Sequence, residues 1–371
     1  MTMASAPAPA GEHRLAAGLS VTVFGAKGDG RTDDTAAFLR GLATAEKRQL
    51  PLVLPAGCYR VTMPLTVNGL TLCGLPGDTP PTLLIDQKNG PGLHLISGAV
   101  TDLTVRYAET HHSFHPAMRL SAAGCLVSRV TVENAYDGIL FDDEGPSNPG
   151  RSNVHNVDIV GLQHLGVRVT NTYDVACLRH ITVRGGASFQ KNGTGFLFGK
   201  NDDVRVSHCT VIGGAVGFSF ADLPAGDDQG ETFSTWGSFR YCRTEGCERG
   251  LYVRSHFPTL RMAPLLFHHC DFAAGLHALE VAPCGANISL YACMLAADTG
   301  AALHILGAHD LLCNDCRILA PAADGVYLSG GRHIVLHHNR IAAADEPIRV
   351  GTAPRGLVTA DNLTDEKEAR I

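Results

Sequence analysis

Hydrophobic and polar residues alternate along most of the chain in short runs, broken by Gly, Asn, Asp and His. Period-two alternation over such runs predicts short β-strands with one face buried. Near the C-terminus, LFHHCDF, SLYACML, CNDCRIL and VLHHNRI align, and their equivalent residues Cys270, Cys293, Cys316 and Asn339 are 23 positions apart. A further 23 positions reaches Asn362. Upstream the template recurs at wider spacing at Cys242, Cys209, Ile181, Val157 and Val130, with weaker copies at Leu103 and Leu70, twelve in all. Each copy reads as a strand, a two-residue bend, a second strand starting at the repeated residue, a loop, and a third strand of the form Gly-apolar-x-apolar. GILF (138–141), GVRV (166–169), GFLF (195–198), GFSF (217–220), GLYV (250–253) and GVYL (325–328) are such third strands. Strands this short do not stand alone. Stacked coils of about 23 residues bury one continuous core. The pattern therefore predicts an all-β, three-stranded parallel β-helix of about twelve coils over residues 67–362.

Composition sharpens this picture. The 371 residues exceed a usual single domain, yet elongated β folds run this long as one unit. Hydrophobic residues make up 45% and support a large core; a net charge of −6 argues against a nucleic-acid partner. No apolar run approaches the ~18 residues of a membrane span. Residues 1–20, small and Pro-rich, read as a flexible segment without the basic start and apolar stretch of a signal peptide. The 12 cysteines invite a disulfide framework, but five of them share the repeated column and do not pair evenly. Buried free thiols are expected instead, with folding in a reducing setting, either cytoplasmic or virion-associated.

The segments VTVFGAKGDGRTDDTAAFLRGL (21–42) and LPLVLPAGCYRVTMPLTV (50–67) resemble the N-terminus of the pectate-lyase-like, polygalacturonase-related right-handed parallel β-helix proteins. Phage tailspike depolymerases and alginate epimerases share that opening. The resemblance implies a right-handed coil, a carbohydrate-active enzyme with a polysaccharide substrate and, on the tailspike side, a homotrimer. Locally, AKGDGRTDD reads as a Gly-rich turn, with Thr32 or Asp33 capping a helix from about Asp34 to Lys47. Ala36, Ala37, Leu39, Leu42 and Ala43 would lay an apolar stripe over the open first coil and hide its strand edges, so residues 21–66 read as a structural cap. GAKGDG lacks the Gly-Lys-Ser/Thr ending of a phosphate loop. The charged end, 363–371, reads as a tail.

In the resembling enzymes the third strand lines the substrate cleft. Alternation points Arg119, Leu140, Arg168, Leu197, Ser219, Tyr252, Glu280, His304, Tyr327 and Arg349 outward. Coils ~4.8 Å apart match the repeat of a sugar chain. Long insertions flank this strand at 107–116, 142–153, 184–193, 222–236 and 255–264, which places the cleft over the middle coils from about Val130 to Cys270. Aligned exit positions are Asp143, Asn171, Lys200, Asp222 and Ser255. Asp143 and Asp222, three coils or ~14 Å apart, are too distant for the ~5–9.5 Å carboxylate pair of a glycosidase. Lys200, Asp222, Arg254 and Glu280, on consecutive coils, are candidate catalytic residues expected within reach of one another, and Tyr252, Glu280 and His304 form a second consecutive set. Arg119, Arg168, Asp143 and Tyr327 are candidate substrate-binding residues, joined by Asp228 and Glu231 from the long loop and by Trp236 as a stacking face. A carboxyl pair would serve hydrolysis; a base beside cations that neutralise a uronate would serve β-elimination. A non-catalytic glycan-binding or structural β-helix is the alternative.

Departures from characterised relatives are specific. Of the polygalacturonase motifs only Asp137 in Ala135-Tyr136-Asp137 fits; the acid pair and the His are missing, as is the epimerase Asp-Pro-His-Glu. No pattern spells a calcium site, so no cofactor is expected. The pairs His268-His269 and His337-His338 fall in the bend and read as turns that tolerate His rather than as a metal ladder; His111, His112 and His115 lie in a cleft-side insertion. Cys313 and Cys316 form a Cys-x-x-Cys, but Cys316 belongs to the buried column and no second pair completes a zinc set.

Overall fold

The repeat winds into superposed coils in a computed structural model that describes residues 18–108, 114–141, 148–221, 235–255 and 261–364. Most of the N-terminal segment and of the tail lie outside the described residues. Every strand pairing among the described residues is parallel, and the strands stack into about twelve coils. In the regular part each coil gives three strand segments, as do Gly285–Tyr291, Met294–Ala297 and Leu303–Ile305. Residue-by-residue register links Leu103 to Val130, Val157 and Ile181. The residues that follow Cys209, Cys242, Cys270, Cys293 and Cys316 pair in turn, so these five superpose. One copy is misplaced by the sequence pattern. Leu70 pairs with Gly98, whereas Thr82 pairs with Thr104, so Pro81 rather than Leu70 stands beside Leu103. Both segments alternate, and alternation alone does not distinguish one strand of a coil from another.

The bend before this column has one physical origin. Asp102, Arg129, Asn156, His180, His208, Tyr241, His269, Ala292, Asp315, His338 and Asp361 all have φ between 51° and 59°. This left-handed region is costly for most side chains and least so for Asn, Asp and His, which explains the bend's composition. The third-strand glycines answer a different need. A Cβ on Gly138 would come within 2.4 Å of the Gly166 carbonyl, and one on Gly166 within 2.3 Å of the Gly195 carbonyl. Each coil's backbone fills the space that a side chain would take in the one before.

The core is aliphatic at the N-terminal end and aromatic in the middle coils, where Phe196, Phe198, Phe218, Phe220, Phe239, Phe267 and Phe272 are buried in mutual ring contact. All twelve cysteines are free, and those of the column are buried. Burial pushes the Cys209 thiol well above its ordinary range and Cys247 up to about 12, so both are poor nucleophiles. Towards the C-terminus an amide takes over the column. Asn339 accepts from the Cys316 N–H (2.9 Å) and donates to the Cys313 carbonyl (2.9 Å) and the Asn362 side chain (3.0 Å). An inward amide is tolerated because stacking satisfies it.

The first coil is covered by the helix Thr35–Arg48. Its buried face is Ala37, Phe38, Gly41, Leu42 and Ala45; Ala36, Leu39 and Ala43 of the expected stripe face solvent. Phe38 meets Tyr59 edge-on at 5.7 Å, and that ring sets the rotation of the helix. Asp34 stands at the N-cap position but turns its carboxylate back to the Lys27 and Gly28 N–H groups (2.7 and 3.0 Å). Asp33 does the capping, accepting from the Thr35 N–H (3.0 Å) and hydroxyl (2.5 Å). Thr32 instead donates to Asp29, whose pKa falls to about 2 through the Thr32 and Arg31 N–H bonds. Asp33 is lowered too, first by the Thr35 hydroxyl. Depressed carboxylates contribute stability that is present above their unfolded pKa and lost as pH falls through the folded one. The protection factors of the helix amides, corrected for the intrinsic exchange rate, should therefore fall as pH is lowered from about 4 towards 2. In Asp33→Ala that acid dependence should shrink, at a cost near neutrality of about 1 kcal/mol.

Candidate functional site

The third strands align in one unbroken ladder. Register places His94, Arg119, Leu140, Arg168, Leu197, Ser219, Tyr252, Glu280, His304, Tyr327 and Arg349 on successive coils. All ten positions inferred from alternation share this column; Ser219 alone among them is buried. Chemistry concentrates where Tyr252, Glu280, His304 and Tyr327 follow one another. Glu280 Oε2 accepts from Arg249 Nε at 2.5 Å, and Arg249 Nη1 donates to Glu248 at 2.7 Å. The guanidinium groups of Arg249 and Arg254 both lie 5.9 Å from the centre of the Tyr252 ring, within cation–π range. His277 donates from Nδ1 to the Ala301 carbonyl (2.7 Å) and stacks on His304 at 4.5 Å; His304 in turn contacts Tyr327 at 5.3 Å. His304 Nδ1 is buried without a hydrogen-bond partner. Burial, then the neighbouring His277, lowers the His304 pKa below its ordinary 6.5, so the ring is neutral at neutral pH.

Arg249 and His277 escaped the sequence reading. They pair with each other three residues before Tyr252 and Glu280, where strict alternation would aim them at the core. A register shift between Cys247 and Arg249 breaks the pleat there. Neighbouring Gly and Ala positions that admit no large side chain were the available signal.

The structure separates residues that spacing had grouped. Lys200 sits in a left-handed bend (φ 55°) at the exit of Thr194–Asn201, equivalent to Asn171, which is also left-handed. It is three coils, ~14 Å, from the coil of Glu280 and cannot act with it on one bond. With Tyr173, Asn201, Asp202, Trp236, Ala263 and Pro264 it lines a largely apolar cleft of about 630 Å³ at the corner after the third strand. Tyr173 and Trp236 present exposed rings there. Asp143, Asp222, Asp228, Glu231, His111 and His112 lie outside the described residues. Arg119 and Arg168 flank Leu140 in the ladder, and the Arg168 Nε is buried without a hydrogen-bond partner. Near Arg168 a second group gathers at the strand entrance. Asp137 is 2.8 Å from His164 Nδ1, His164 stacks on Tyr136, and the exposed Phe114 meets Tyr136 edge-on. The Asp137 bond raises the His164 pKa above its ordinary value.

The model of the family "Rhamnogalacturonase A/epimerase, pectate lyase-like" matches residues 18–251. The chain belongs to this family. The match spans the cap, Arg119, Arg168, Lys200 and the Asp137–His164 pair, and ends one residue before Tyr252. Family membership therefore does not extend to the roles of Glu280, His304 and Tyr327. No curated protein matches by sequence. Among solved structures, an N-terminal fragment of bacteriophage phi29 gene product 12 superposes with a TM-score of 0.62 at 11% identity, over 93% of this chain and 71% of that one. A mutant tailspike of E. coli bacteriophage HK620, solved with a hexasaccharide, gives 0.60 at 9% identity, over 94% and 66%. The catalytic unit of a GH87 α-1,3-glucanase from Streptomyces thermodiastaticus gives 0.53 at 16% identity, over 97% and 70%. At these identities the likeness is one of fold, and this family member spans about two thirds of each of those chains.

Proposed function

We propose that the chain is a carbohydrate-active β-helix enzyme that holds a polysaccharide along the third-strand ladder and cleaves it at Tyr252, Glu280 and His304. The observation that carries this reading is the uninterrupted series Tyr252–Glu280–His304–Tyr327, with Arg249 and Arg254 gathered on its first ring. Stacked rings and cations at coil spacing suit consecutive acidic sugars. The arrangement favours β-elimination over hydrolysis. Among the described residues, the other carboxylate bonded in this cluster, Glu248, is tied to the opposite nitrogen of the guanidinium that Glu280 binds, which leaves no acid–base pair across a bond. In elimination Arg254 would offset the uronate charge, since Arg249 already faces Glu280 and Glu248. A base of the cluster would take the proton beside the carboxylate, the C–O bond to the leaving sugar would break as the C=C bond forms, and the leaving oxygen would receive a proton.

The test is incubation with a panel of acidic and neutral polysaccharides while following absorbance near ~235 nm and new reducing ends together, because elimination creates a conjugated double bond and hydrolysis does not. A rise in both is expected with an acidic substrate. Reducing ends alone mean hydrolysis. Neither signal, with glycan retained, means a binding module, the second reading that the Tyr173–Trp236 cleft supports on its own. A homotrimer belongs to the same proposal and is read by sedimentation. The free thiols favour folding in a reducing compartment.

A further inference from the structure

The last two coils carry a group that the cleft does not use. His337 Nε2 and His338 Nε2 lie 3.2 and 3.5 Å from the same Oδ2 of Asp361, and one ligand atom from each of the three residues falls within 4.8 Å of the others. Bonds of ~2.0–2.1 Å around a tetrahedral ion put neighbouring donors ~3.4 Å apart. The separations to Asp361 thus match edges of a coordination tetrahedron. The repeat itself produces this geometry. His338 and Asp361 occupy successive left-handed bends (φ 53° and 54°), and His337 pairs with Ala360, so one coil's His-His is set beside the next coil's Asp.

The coil before supplies an orienting partner. His337 Nδ1 lies 3.2 Å from the Asn314 side-chain oxygen, which can only accept. A proton on Nδ1 is thereby held, and the lone pair of Nε2 faces Asp361. His338 Nδ1 stands 4.0 Å from Asp315 Oδ1, too far for a hydrogen bond, so Asp315 contributes charge only. A second polar partner of the kind that holds His337 is common for metal-binding histidines.

We infer that His337, His338 and Asp361 form a binding site for a borderline divalent transition metal of the Zn²⁺, Ni²⁺ or Cu²⁺ type. Two imidazoles and one carboxylate suit these ions better than Ca²⁺ or Mg²⁺. The site is shallow, with the Asp361 side chain 67% exposed, so water completes the coordination. Its consequence is structural. Among the described residues the last coil pairs on one side only, with Arg355–Ala360 and Leu363–Thr364 largely exposed. A metal held by His337, His338 and Asp361 clips that coil to its neighbour and stabilises the folded end by mass action.

The competing arrangement is a set of plain His–Asp ion pairs, which needs no metal. Calorimetric titration of the full chain with Zn²⁺ and Ni²⁺ at slightly alkaline pH, and thermal unfolding with and without each ion, separate the two. One equivalent bound is expected, with a higher midpoint in metal. Cu²⁺ at the site should give an electron-paramagnetic spectrum with coupling to two nitrogens. Asp361→Asn and His338→Ala should each weaken binding at least ~10-fold and abolish the metal-induced shift, while His269→Ala leaves both unchanged. Ala292 holds the same bend conformation (φ 51°), so alanine is compatible with it. Because the readout is the shift within each variant, a lower starting midpoint does not obscure it. Absence of binding at ~100 µM metal, or a shift that survives both substitutions, overturns the site.

Discussion

Glu280→Gln should lower kcat/KM on the cleaved polysaccharide by about 10²–10⁴-fold, the range contributed by a positioned acid or base, while glycan binding changes little. The substitution keeps the shape of the side chain and a hydrogen bond to Arg249, so it removes charge and proton capacity more than packing. His304→Ala should cause a loss of similar size. Its sign with pH is fixed by the environment: burial and His277 favour the neutral ring. Activity that needs neutral His304 is present at and above neutrality and falls as pH drops through a value below the ordinary 6.5. The acid limb of kcat/KM should therefore lie below that value and be absent from the residual activity of His304→Ala. Lys200→Ala, three coils away, should alter KM rather than kcat. Asp137→Asn is the decisive contrast. Asp137 and His164 lie five and four coils, ~24 and ~19 Å, from Glu280. Loss of turnover in Asp137→Asn with full activity in Glu280→Gln would move the centre there and remove the role proposed for Glu280.

Much of this layout was legible because the repeat converts sequence distance into vertical neighbourhood. Once Cys270, Cys293 and Cys316 are superposed, alternation determines which residue of every third strand faces out, and the ladder from Arg119 to Arg349 follows. Legibility ended where the pleat ends. Arg249 and His277 sit at strand entrances where the period of two fails, and Lys200 at an exit where a left-handed bend turns the chain towards another cleft. Spacing also misread the cap helix, because Phe38, rather than an alanine stripe, sets its rotation against Tyr59. Coil number specifies height along the helix; lateral position needs backbone dihedrals, which a polar/apolar pattern does not encode.

Phe220→Ala should be the most costly single change to the fold, at about 3–5 kcal/mol. Phe220 is fully buried, stacks on Phe198 at 5.3 Å, and meets the edges of Phe239 and Phe267 at 5.1 and 5.8 Å. Removing the ring leaves a void that both neighbouring coils line, and their backbones are held by parallel pairing that resists collapse into it. In a stacked repeat each coil is stabilised chiefly by its neighbours, so weakening one central interface lowers cooperativity as well as stability. The aliphatic N-terminal coils, closed by the Phe38–Tyr59 cap, and the C-terminal coils, closed by the Asn339–Asn362 ladder, would then unfold at different denaturant concentrations. Urea unfolding should pass from one transition to two, and the earlier one should coincide with exposure of Cys242 and Cys270 to a thiol reagent. Phe220→Leu leaves a smaller void and should retain more of both stability and cooperativity. A loss below about 1 kcal/mol in Phe220→Ala, with a single sharp transition, would mean that the coils are held by their backbone ladders rather than by the aromatic column.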